Sequence, residues 1–154
     1  MLFLQFQLGK DRYALDSSQV VEVLPLLGIK QIPQALVGVV GAFNYRGRPV
    51  PVIDLSELAL GRPARRHMST RIVIVLHPGG DGTRHLLGLI AEKATETVHR
   101  NPADFVDSGV VNGDAPYLGP VATDPNGLVQ WIEVTKLLPA AVRDVLFKQP
   151  LECQ

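Results

Sequence analysis

Alternating apolar and polar positions run through most of the chain and predict a mainly β protein. The first segment, LFLQFQL at residues 2–8, places apolar residues at every second position around Gln5 and Gln7. This two-residue period is typical of a strand with one face on a core. After a turn at residues 9–12, the strand pattern resumes at residues 13–15.

A helix-capping pattern follows, since DSSQ at residues 16–19 places an acceptor side chain three residues before a glutamine. We expect one or two helical turns over residues 20–24. The β-branched valines in this segment disfavour a longer helix, and Pro25 ends it. It is one of two helices that the pattern predicts.

Two pairs of apolar runs predict two β-hairpins. The first joins residues 36–43 to residues 49–55 through a turn at Arg46, Gly47 and Arg48. The second joins two apolar runs, residues 71–76 and 86–91, through a Pro-Gly-Gly-Asp-Gly sequence with strong turn chemistry. The hairpins lie in different halves of the chain, which favours two small barrels that share one chain.

Two prolines constrain the second strand of the first hairpin. Pro49 and Pro51 lack amide hydrogens at positions two apart, and donors two apart point to the same side of a strand. That side cannot carry a complete ladder of hydrogen bonds. The strand is therefore predicted to be bulged or to lie at a sheet edge.

The remaining segments are predicted from composition and period. Residues 61–70 read as an exposed loop, residues 95–99 as a short polar strand, residues 101–127 as mostly loop, and residues 128–134 as a strand. Four apolar residues at helical spacing then predict a C-terminal helix: Leu138, Val142, Val145 and Leu146. Short strands with glycine and proline turns favour antiparallel barrels over a βαβ sheet.

Composition bounds the possible functions. A chain of 154 residues with 46% apolar residues is expected to form one folded unit with a sizeable core. Its net charge of zero provides no overall field for nucleic acid or an anionic membrane. Cys153 is the only cysteine, so no internal disulfide can form and a cytoplasmic location is favoured.

Candidate catalytic and metal-binding residues are few. The histidines at positions 67, 77, 85 and 99 lack the spacing of a zinc site, so no metal is expected. The glycine-rich run at residues 79–82 lacks the features of a phosphate loop and is predicted to be a hairpin tip. Asp16, Asp54 and Asp124 are expected to cap helices or turns rather than to act in catalysis. We therefore expect neither enzymatic activity nor a cofactor.

Arg46 is constrained by its neighbours, because Gly41 and Gly47 allow close backbone approach at a turn. A guanidinium held at a hairpin loses little entropy when it binds a carboxylate or carbonyl. Spacing alone favours an ordinary solvated turn arginine. A second alternative is a small-barrel nucleic-acid-binding module, prompted by Arg46 and Arg48 together with arginines at positions 62, 65 and 66. Zero net charge and only 6% aromatic residues count against that alternative.

Several motifs occur in a fixed order along nearly the whole chain. They are LGKDRYALD at residues 8–16, VVEV at 20–23, IP at 32–33, GVVGAFNYRG at 38–47, VPVIDL at 50–55, TRIVIV at 70–75, LGL at 87–89, YLG at 117–119 and IEVTKLL at 132–138. This order resembles the CheW-like coupling proteins of bacterial chemosensory arrays. The combination of Asn-x-Arg-Gly with VPVIDL is its most specific part.

The resemblance implies a fold and a function. The fold would be a single CheW-like domain, residues 1–154, of two intertwined five-stranded SH3-like β-barrel subdomains formed by interleaved segments, with a short helix near the first barrel and a C-terminal helix. The function would be that of a non-enzymatic adaptor. It would couple the cytoplasmic tip of a chemoreceptor, a methyl-accepting chemotaxis protein, to the regulatory domain of a CheA-type histidine kinase. Its location would be cytoplasmic, at receptor arrays on the inner membrane.

The resemblance also implies a receptor-binding surface. In the family the groove between the barrels takes the receptor helices, and the arginine of the Asn-x-Arg-Gly motif lies at or supports that surface. Carried over, the receptor-binding residues are Arg46, Asn44, Gly41 and Gly47, with Val20 and Glu22 as flanking contacts. The apolar face of the second barrel would meet the kinase.

Three departures from the family pattern stand out. Tyr45 occupies a position where leucine is usual, Arg48 and Pro49 replace an apolar pair, and the hairpin tip at residues 77–85 is longer than in the commonest members. These changes predict a paralogue that serves a dedicated pathway, which need not be flagellar.

Overall fold

The computed structural model describes residues 1–32, 38–78, 83–110, 113, 115–139, 142, 143, 146 and 147. Within these residues the chain forms ten strands and one short α-helix with described bounds, and residues 142, 143 and 146 are also α-helical. The strands are β1 Leu2–Leu8, β2 Asp11–Asp16, β3 Val20–Pro25, β4 Ile29–Gln31, β5 Val39–Tyr45, β6 Arg48–Asp54, β7 Arg71–His77, β8 His85–His99, β9 Leu118–Asp124 and β10 Gly127–Ile132. The helix, α1, is Leu55–Leu60, and 3₁₀ turns lie at Ser17–Gln19, Pro102–Asp104 and Val134–Lys136.

The strands form two barrels joined through β8. The first barrel has the order β9-β10-β2-β1-β8, and the second contains β3 to β7 together with β8. The first half of β8 pairs with β6 and β7, and its second half pairs with β1. The second barrel is thus inserted between two parts of the first, which confirms the predicted pair of intertwined barrels.

The largest hydrophobic cluster fills the space between the two barrels. It unites apolar side chains from β1 and β2 with others from β7, β8 and the end of β10. Its fully buried members include Phe6, Leu8, Leu15, Leu87, Leu89 and Ile132. The opposite faces of β1, β7 and the first half of β8 contribute side chains to the interiors of the barrels, so β7 and the first half of β8 are buried on both sides. Each barrel interior holds only small clusters of its own, and most of the buried apolar side chains lie between the barrels.

The predicted helix over residues 20–24 is wrong. Asp16 does act as a cap, accepting a 2.9 Å hydrogen bond from the Ser18 N–H, but the 3₁₀ turn ends at Gln19. The following valines form β3, where Val20 pairs with Val75 of β7. β-branched side chains pack well on a pleated surface, and this preference prevails over the capping signal.

Helix α1 lies where the sequence predicted only the end of a strand. Asp54 caps it by accepting hydrogen bonds from the N–H groups of Ser56 at 2.9 Å and Glu57 at 3.3 Å. Gly61 ends it in the left-handed conformation, with φ of 74°. The predicted capping role of Asp54 is therefore confirmed, although the helix itself was missed.

Both predicted hairpins form, as β5–β6 and β7–β8, but they lie in the same barrel. The prediction that β6 is an edge strand holds only for its first part, because β6 lies between β5 and β8 but pairs with β8 only over its last three residues. Its ladder with β8 begins only at Val52, immediately after Pro51. The missing amide hydrogens therefore fall where β6 has no second partner. A bulge in the β5–β6 pair occurs between Val39 and Gly41.

The C-terminal part of the chain differs from the prediction at β9 and at residues 95–99. β9 lies within the segment predicted to be mostly loop, because Gly119 and Pro120 are residue types typical of turns. Residues 95–99 continue β8 rather than forming a separate strand, and β10 forms as expected.

Part of the predicted C-terminal helix lies within the described residues. The N–H of Arg143 bonds to the carbonyl of Pro139 at 2.9 Å, and Phe147 bonds to Arg143 at 3.0 Å, which is the four-residue spacing of an α-helix. Val142 and Leu146 pack against the core between the barrels. Val145, the glycine-rich tip at residues 79–82 and Cys153 lie outside the described residues.

Gly41 is required by close packing between β4 and β5. A Cβ atom added there would overlap the carbonyl oxygen of Lys30 on the neighbouring strand. Gly41 is buried and pairs with Gln31. A side chain could fit only if β4 moved away from β5.

A Gly41→Ala substitution is expected to destabilise the protein by about 2–4 kcal/mol, because the clash involves backbone rather than a flexible side chain. Denaturant unfolding measures the loss, and hydrogen exchange should show β4 opening first. Gly113→Ala is the control, since a Cβ atom at Gly113 meets nothing within 4 Å. Equal stability of the two variants would contradict this role for Gly41.

Asp124 ties together three parts of the first barrel. Its carboxylate accepts hydrogen bonds from both terminal nitrogens of Arg12, at 2.9 and 2.6 Å, and from Arg100 at 3.0 Å. It also accepts a bond from the N–H of Asn126 in the β9–β10 turn, which confirms the expected turn role. The hydrogen bonds from Arg12 outweigh the loss of solvent and, with those from Arg100 and Asn126, hold the pKa of Asp124 well below its ordinary value of 3.8.

Asp124→Asn is expected to lower the free energy of unfolding by about 2 kcal/mol at pH 7, because two partly buried guanidinium groups lose their counter-charge. A carboxylate with a lowered pKa stabilises the folded state above its unfolded pKa, and this contribution is lost as pH falls. The difference in free energy of unfolding between variant and wild type should therefore become smaller below about pH 4. Denaturant titrations at several pH values test this expectation. Asp107→Asn is the matched control, because its exposed side chain only accepts a turn hydrogen bond from Gly109. A difference in free energy of unfolding that did not change with pH would contradict this stabilising role of the Asp124 carboxylate.

Candidate functional site

Arg46 lies in a tight two-residue turn between β5 and β6. Tyr45 and Arg48 form the last pair of the hairpin, and the two residues between them have positive φ angles, 53° at Arg46 and 85° at Gly47. Positive φ at both central positions defines a type I′ turn. The Asn44 side-chain oxygen accepts a 2.9 Å hydrogen bond from the Gly47 N–H and stabilises this conformation. Asn44 and Gly47 therefore fix the direction in which Arg46 leaves the hairpin.

Arg46 belongs to a three-residue cluster with Glu22 and Tyr45. Oε1 of Glu22 accepts a 2.6 Å hydrogen bond from the Tyr45 hydroxyl and a 3.1 Å bond from Nη2 of Arg46. The guanidinium carbon also lies 5.2 Å from the centre of the Tyr45 ring, within the range of a cation–π contact. We call these three residues the Glu22–Tyr45–Arg46 cluster.

The members of the cluster differ in exposure. The Arg46 side chain is 74% exposed and that of Glu22 is 35% exposed, whereas Tyr45 is only 9% exposed. The hydrogen bond to the Glu22 carboxylate, aided by partial loss of solvent, raises the pKa of the Tyr45 phenol. The hydroxyl therefore stays protonated and can act as a donor at neutral pH.

Val20 lies on the same strand as Glu22, near a groove between the barrels. The register of the β3–β7 pair shifts between Val20 and Glu22. Val20 pairs with Val75, whose side chain belongs to the core between the barrels. Glu22 pairs with Ile74, whose side chain lies in the interior of the second barrel. Val20 is half-buried against the core between the barrels. The groove, with a volume of about 330 Å³, is lined from both barrels by Ser18, Gln19, Leu76, Pro78, Arg84 and Thr135. β3 therefore runs from this groove towards the Arg46 turn.

The structure thus brings together most of the predicted site residues. Arg46 donates a hydrogen bond to Glu22, and Gly47 donates one to Asn44. Val20 lies two residues before Glu22 on β3. Gly41 is buried between strands and contributes to the site only through the packing of β4 against β5. The space between the barrels is filled by the protein's own core, so only its rim is open as a groove.

Tyr45 was treated by the sequence analysis only as a departure from the family pattern. Its contact with Glu22 joins residues 23 positions apart, on strands β3 and β5. The prediction of a helix over residues 20–24 removed the strand on which Glu22 lies. Recognition of the valine-rich segment as a strand would have placed Glu22 in a sheet, but its contact with Tyr45 depends on the pairing of strands that are distant in the chain.

The histidines and arginines do not form a second site in the described residues. No group of three or more potential metal ligands occurs there. His77 is fully buried, and burial, with smaller effects from Arg143 and His85, lowers its pKa to about 4. Arg46 contacts Glu22, whereas Arg62 lies near Gly9, so the arginines that prompted the nucleic-acid alternative have different surroundings. That alternative is not favoured.

In the described residues, no helix has both the length and the apolar character needed to cross a membrane.

Comparisons with known proteins agree on one family. The family model described as "CheW-like domain" matches residues 2–142. The "Chemotaxis protein CheW" of Helicobacter pylori (strain ATCC 700392 / 26695) is 27% identical over 104 residues, which is 67% of this chain and 59% of that protein. This chain thus spans less than two thirds of that relative's length.

A solved structure agrees in fold. The crystal structure of the scaffolding protein TtCheW from Thermoanaerobacter tengcongensis has a TM-score of 0.78, with 24% sequence identity, and the match covers 90% of this chain and 87% of that chain. At this identity the likeness concerns the fold. With a family match over residues 2–142, this chain belongs to the CheW-like domain family.

Proposed function

We propose that this chain is a non-enzymatic adaptor that couples the cytoplasmic tip of a chemoreceptor to the regulatory domain of a CheA-type histidine kinase. The observation that carries this proposal is an exposed Arg46, oriented by its turn and by Glu22, on a fold of the CheW-like family. The names of its relatives, a chemotaxis protein and a scaffolding protein, support the same role. The proposal treats residues 1–154 as a single domain that acts in the cytoplasm, at receptor arrays on the inner membrane.

The receptor would bind at the Arg46 turn and along β3. Arg46 would donate hydrogen bonds to acceptors on the receptor helices, with Asn44 and Gly47 fixing its turn. Glu22 and Val20 would flank this contact on β3, and Gly41 would keep β4 packed beneath it. A guanidinium with a fixed orientation loses little freedom on binding, and such residues often supply much of the binding energy of an interface.

The kinase would bind a different face of the second barrel. Val21 and Val23 point away from Glu22 on β3 and are exposed, as are Leu27 and Ile32 beyond its end. Exposed apolar residues that lie close along the chain are suited to an interface core. Alternation along β3 would thus separate the two partners, with Glu22 on the receptor side and Val21 and Val23 on the kinase side.

Arg46→Ala is expected to weaken binding of the receptor by about tenfold or more, because it removes a charged anchor at the centre of the contact. The fold should be unaffected, since an exposed ion pair contributes little to stability. Isothermal titration with a receptor tip fragment from the same genome measures the affinity, and thermal unfolding monitors the fold. Arg48→Ala is the matched control, because Arg48 is exposed on the same hairpin.

Two outcomes of the Arg46→Ala experiment would contradict the proposed role of Arg46. Wild-type affinity in Arg46→Ala would remove Arg46 from the receptor contact. Unfolding of that variant would show that Arg46 serves the fold instead. Co-purification with a CheA-type kinase from the same genome tests the other half of the proposal, and its absence would count against a coupling role.

We also propose that the chain serves a dedicated, non-flagellar pathway. Support comes from Tyr45, where the family usually has leucine, because Tyr45 contacts both Glu22 and Arg46. A change beneath the receptor contact is expected to alter which receptors are accepted. Pull-downs with receptor tips from every chemosensory pathway of the organism should recover one class preferentially. Equal recovery of all classes would contradict this proposal.

A further inference from the structure

Within the Glu22–Tyr45–Arg46 cluster, Tyr45 is the residue that is not among the predicted receptor-binding residues. Its hydroxyl makes a shorter hydrogen bond to Glu22 than Arg46 does, 2.6 Å compared with 3.1 Å, and both bonds end on the same oxygen atom. The position of that oxygen is therefore set mainly by Tyr45. Arg46 bonds to an acceptor that another residue has already fixed.

Tyr45 can fix this oxygen because its own ring cannot move freely. The ring is buried in the interior of the second barrel, in a cluster with Val50, Ile72 and Ile74. Packing in a close-packed core holds a side chain in one rotamer. The hydroxyl therefore emerges from a fixed point at the barrel surface, where Glu22 meets it. Glu22 lies on β3 opposite Ile74 of β7, so the hydroxyl also links β3 to the β5–β6 hairpin.

The same ring also supports the guanidinium of Arg46. The guanidinium carbon lies 5.2 Å from the ring centre, and one terminal nitrogen bonds to Glu22. Two contacts in different directions restrict a long and flexible side chain far more than one exposed ion pair would. Arginine carries five N–H donors, and its 74% exposed side chain leaves others directed to solvent.

We infer that Tyr45 is a positioning residue for receptor binding, which orients Arg46 through Glu22 and through its ring, so that the free donors of Arg46 are preorganised for an acceptor group on the receptor. This inference rests on the proposed function. It assigns the hydroxyl of Tyr45 no direct contact with the receptor, since that group is already bonded to Glu22.

Removing the hydroxyl alone tests the inference. Tyr45→Phe keeps the ring in the core and the face beneath Arg46, so the fold should be retained. It is expected to weaken binding of a receptor tip fragment from the same genome about fivefold, because Glu22 loses its shorter hydrogen bond. Glu22→Gln should weaken binding similarly. The double variant should bind the receptor tip with an affinity no lower than that of the weaker-binding single variant. This is expected because the hydroxyl acts through the carboxylate.

A spectroscopic measurement separates positioning from general packing. In protein labelled with ¹³C at tyrosine Cζ, Glu22→Gln should move the raised pKa of Tyr45 back towards its ordinary value of 10, because the carboxylate that raises it is gone.

Tyr117→Phe is the control for binding, since it removes a hydroxyl in the core between the barrels, away from the Arg46 turn. Its affinity should equal that of the wild type.

The outcomes distinguish this inference from the proposed function. Wild-type affinity in Tyr45→Phe, with affinity lost in Arg46→Ala, would overturn the role of Tyr45 and leave the function intact. Wild-type affinity in both variants would remove the Arg46 turn from the receptor contact, whereas no binding of the receptor tip by the wild-type chain would overturn the proposed function itself. Additive losses in the Tyr45→Phe and Glu22→Gln double variant, or an unchanged Tyr45 titration in Glu22→Gln, would also overturn the inference.

Discussion

The structure depends on the hydrophobic contact between its two barrels. β8 crosses from one barrel to the other, and β7 and the first half of β8 are buried on both faces. Burial of large apolar side chains is the main favourable contribution to folding, and here most of it lies between the barrels. The two barrels must therefore keep a fixed relation to each other, as the proposed adaptor role requires.

The candidate site is built outward from this contact. β7 packs against the core between the barrels with one face and pairs with β3 along its edge. β3 in turn presents Glu22 to the Tyr45 hydroxyl and to Arg46. An exposed arginine at a hairpin tip is ordinarily mobile, but a chain of contacts connects this one to the rigid centre of the molecule. This rigidity distinguishes Arg46 from an ordinary solvated turn arginine.

Local patterns in the sequence predicted the elements whose signals are local. The two-residue period predicted β1 and β10, and turn residues predicted both hairpins. β9 and β3 were missed because glycine, proline and a capping pattern outweighed strand preferences that depend on distant partners. The assignment of both hairpins to one barrel is likewise a property of tertiary pairing. At the site, motifs identified Arg46 and Glu22 as candidates, but only the fold reveals that both contact Tyr45.

Reconstitution of receptor control over the kinase tests the central claim most directly. The measurement is autophosphorylation of the CheA-type kinase with membrane-embedded receptor, in the presence and absence of this chain, all from one genome. If the chain couples the two proteins, kinase activity should respond to the receptor only when the chain is present. An identical response with and without it would contradict the account.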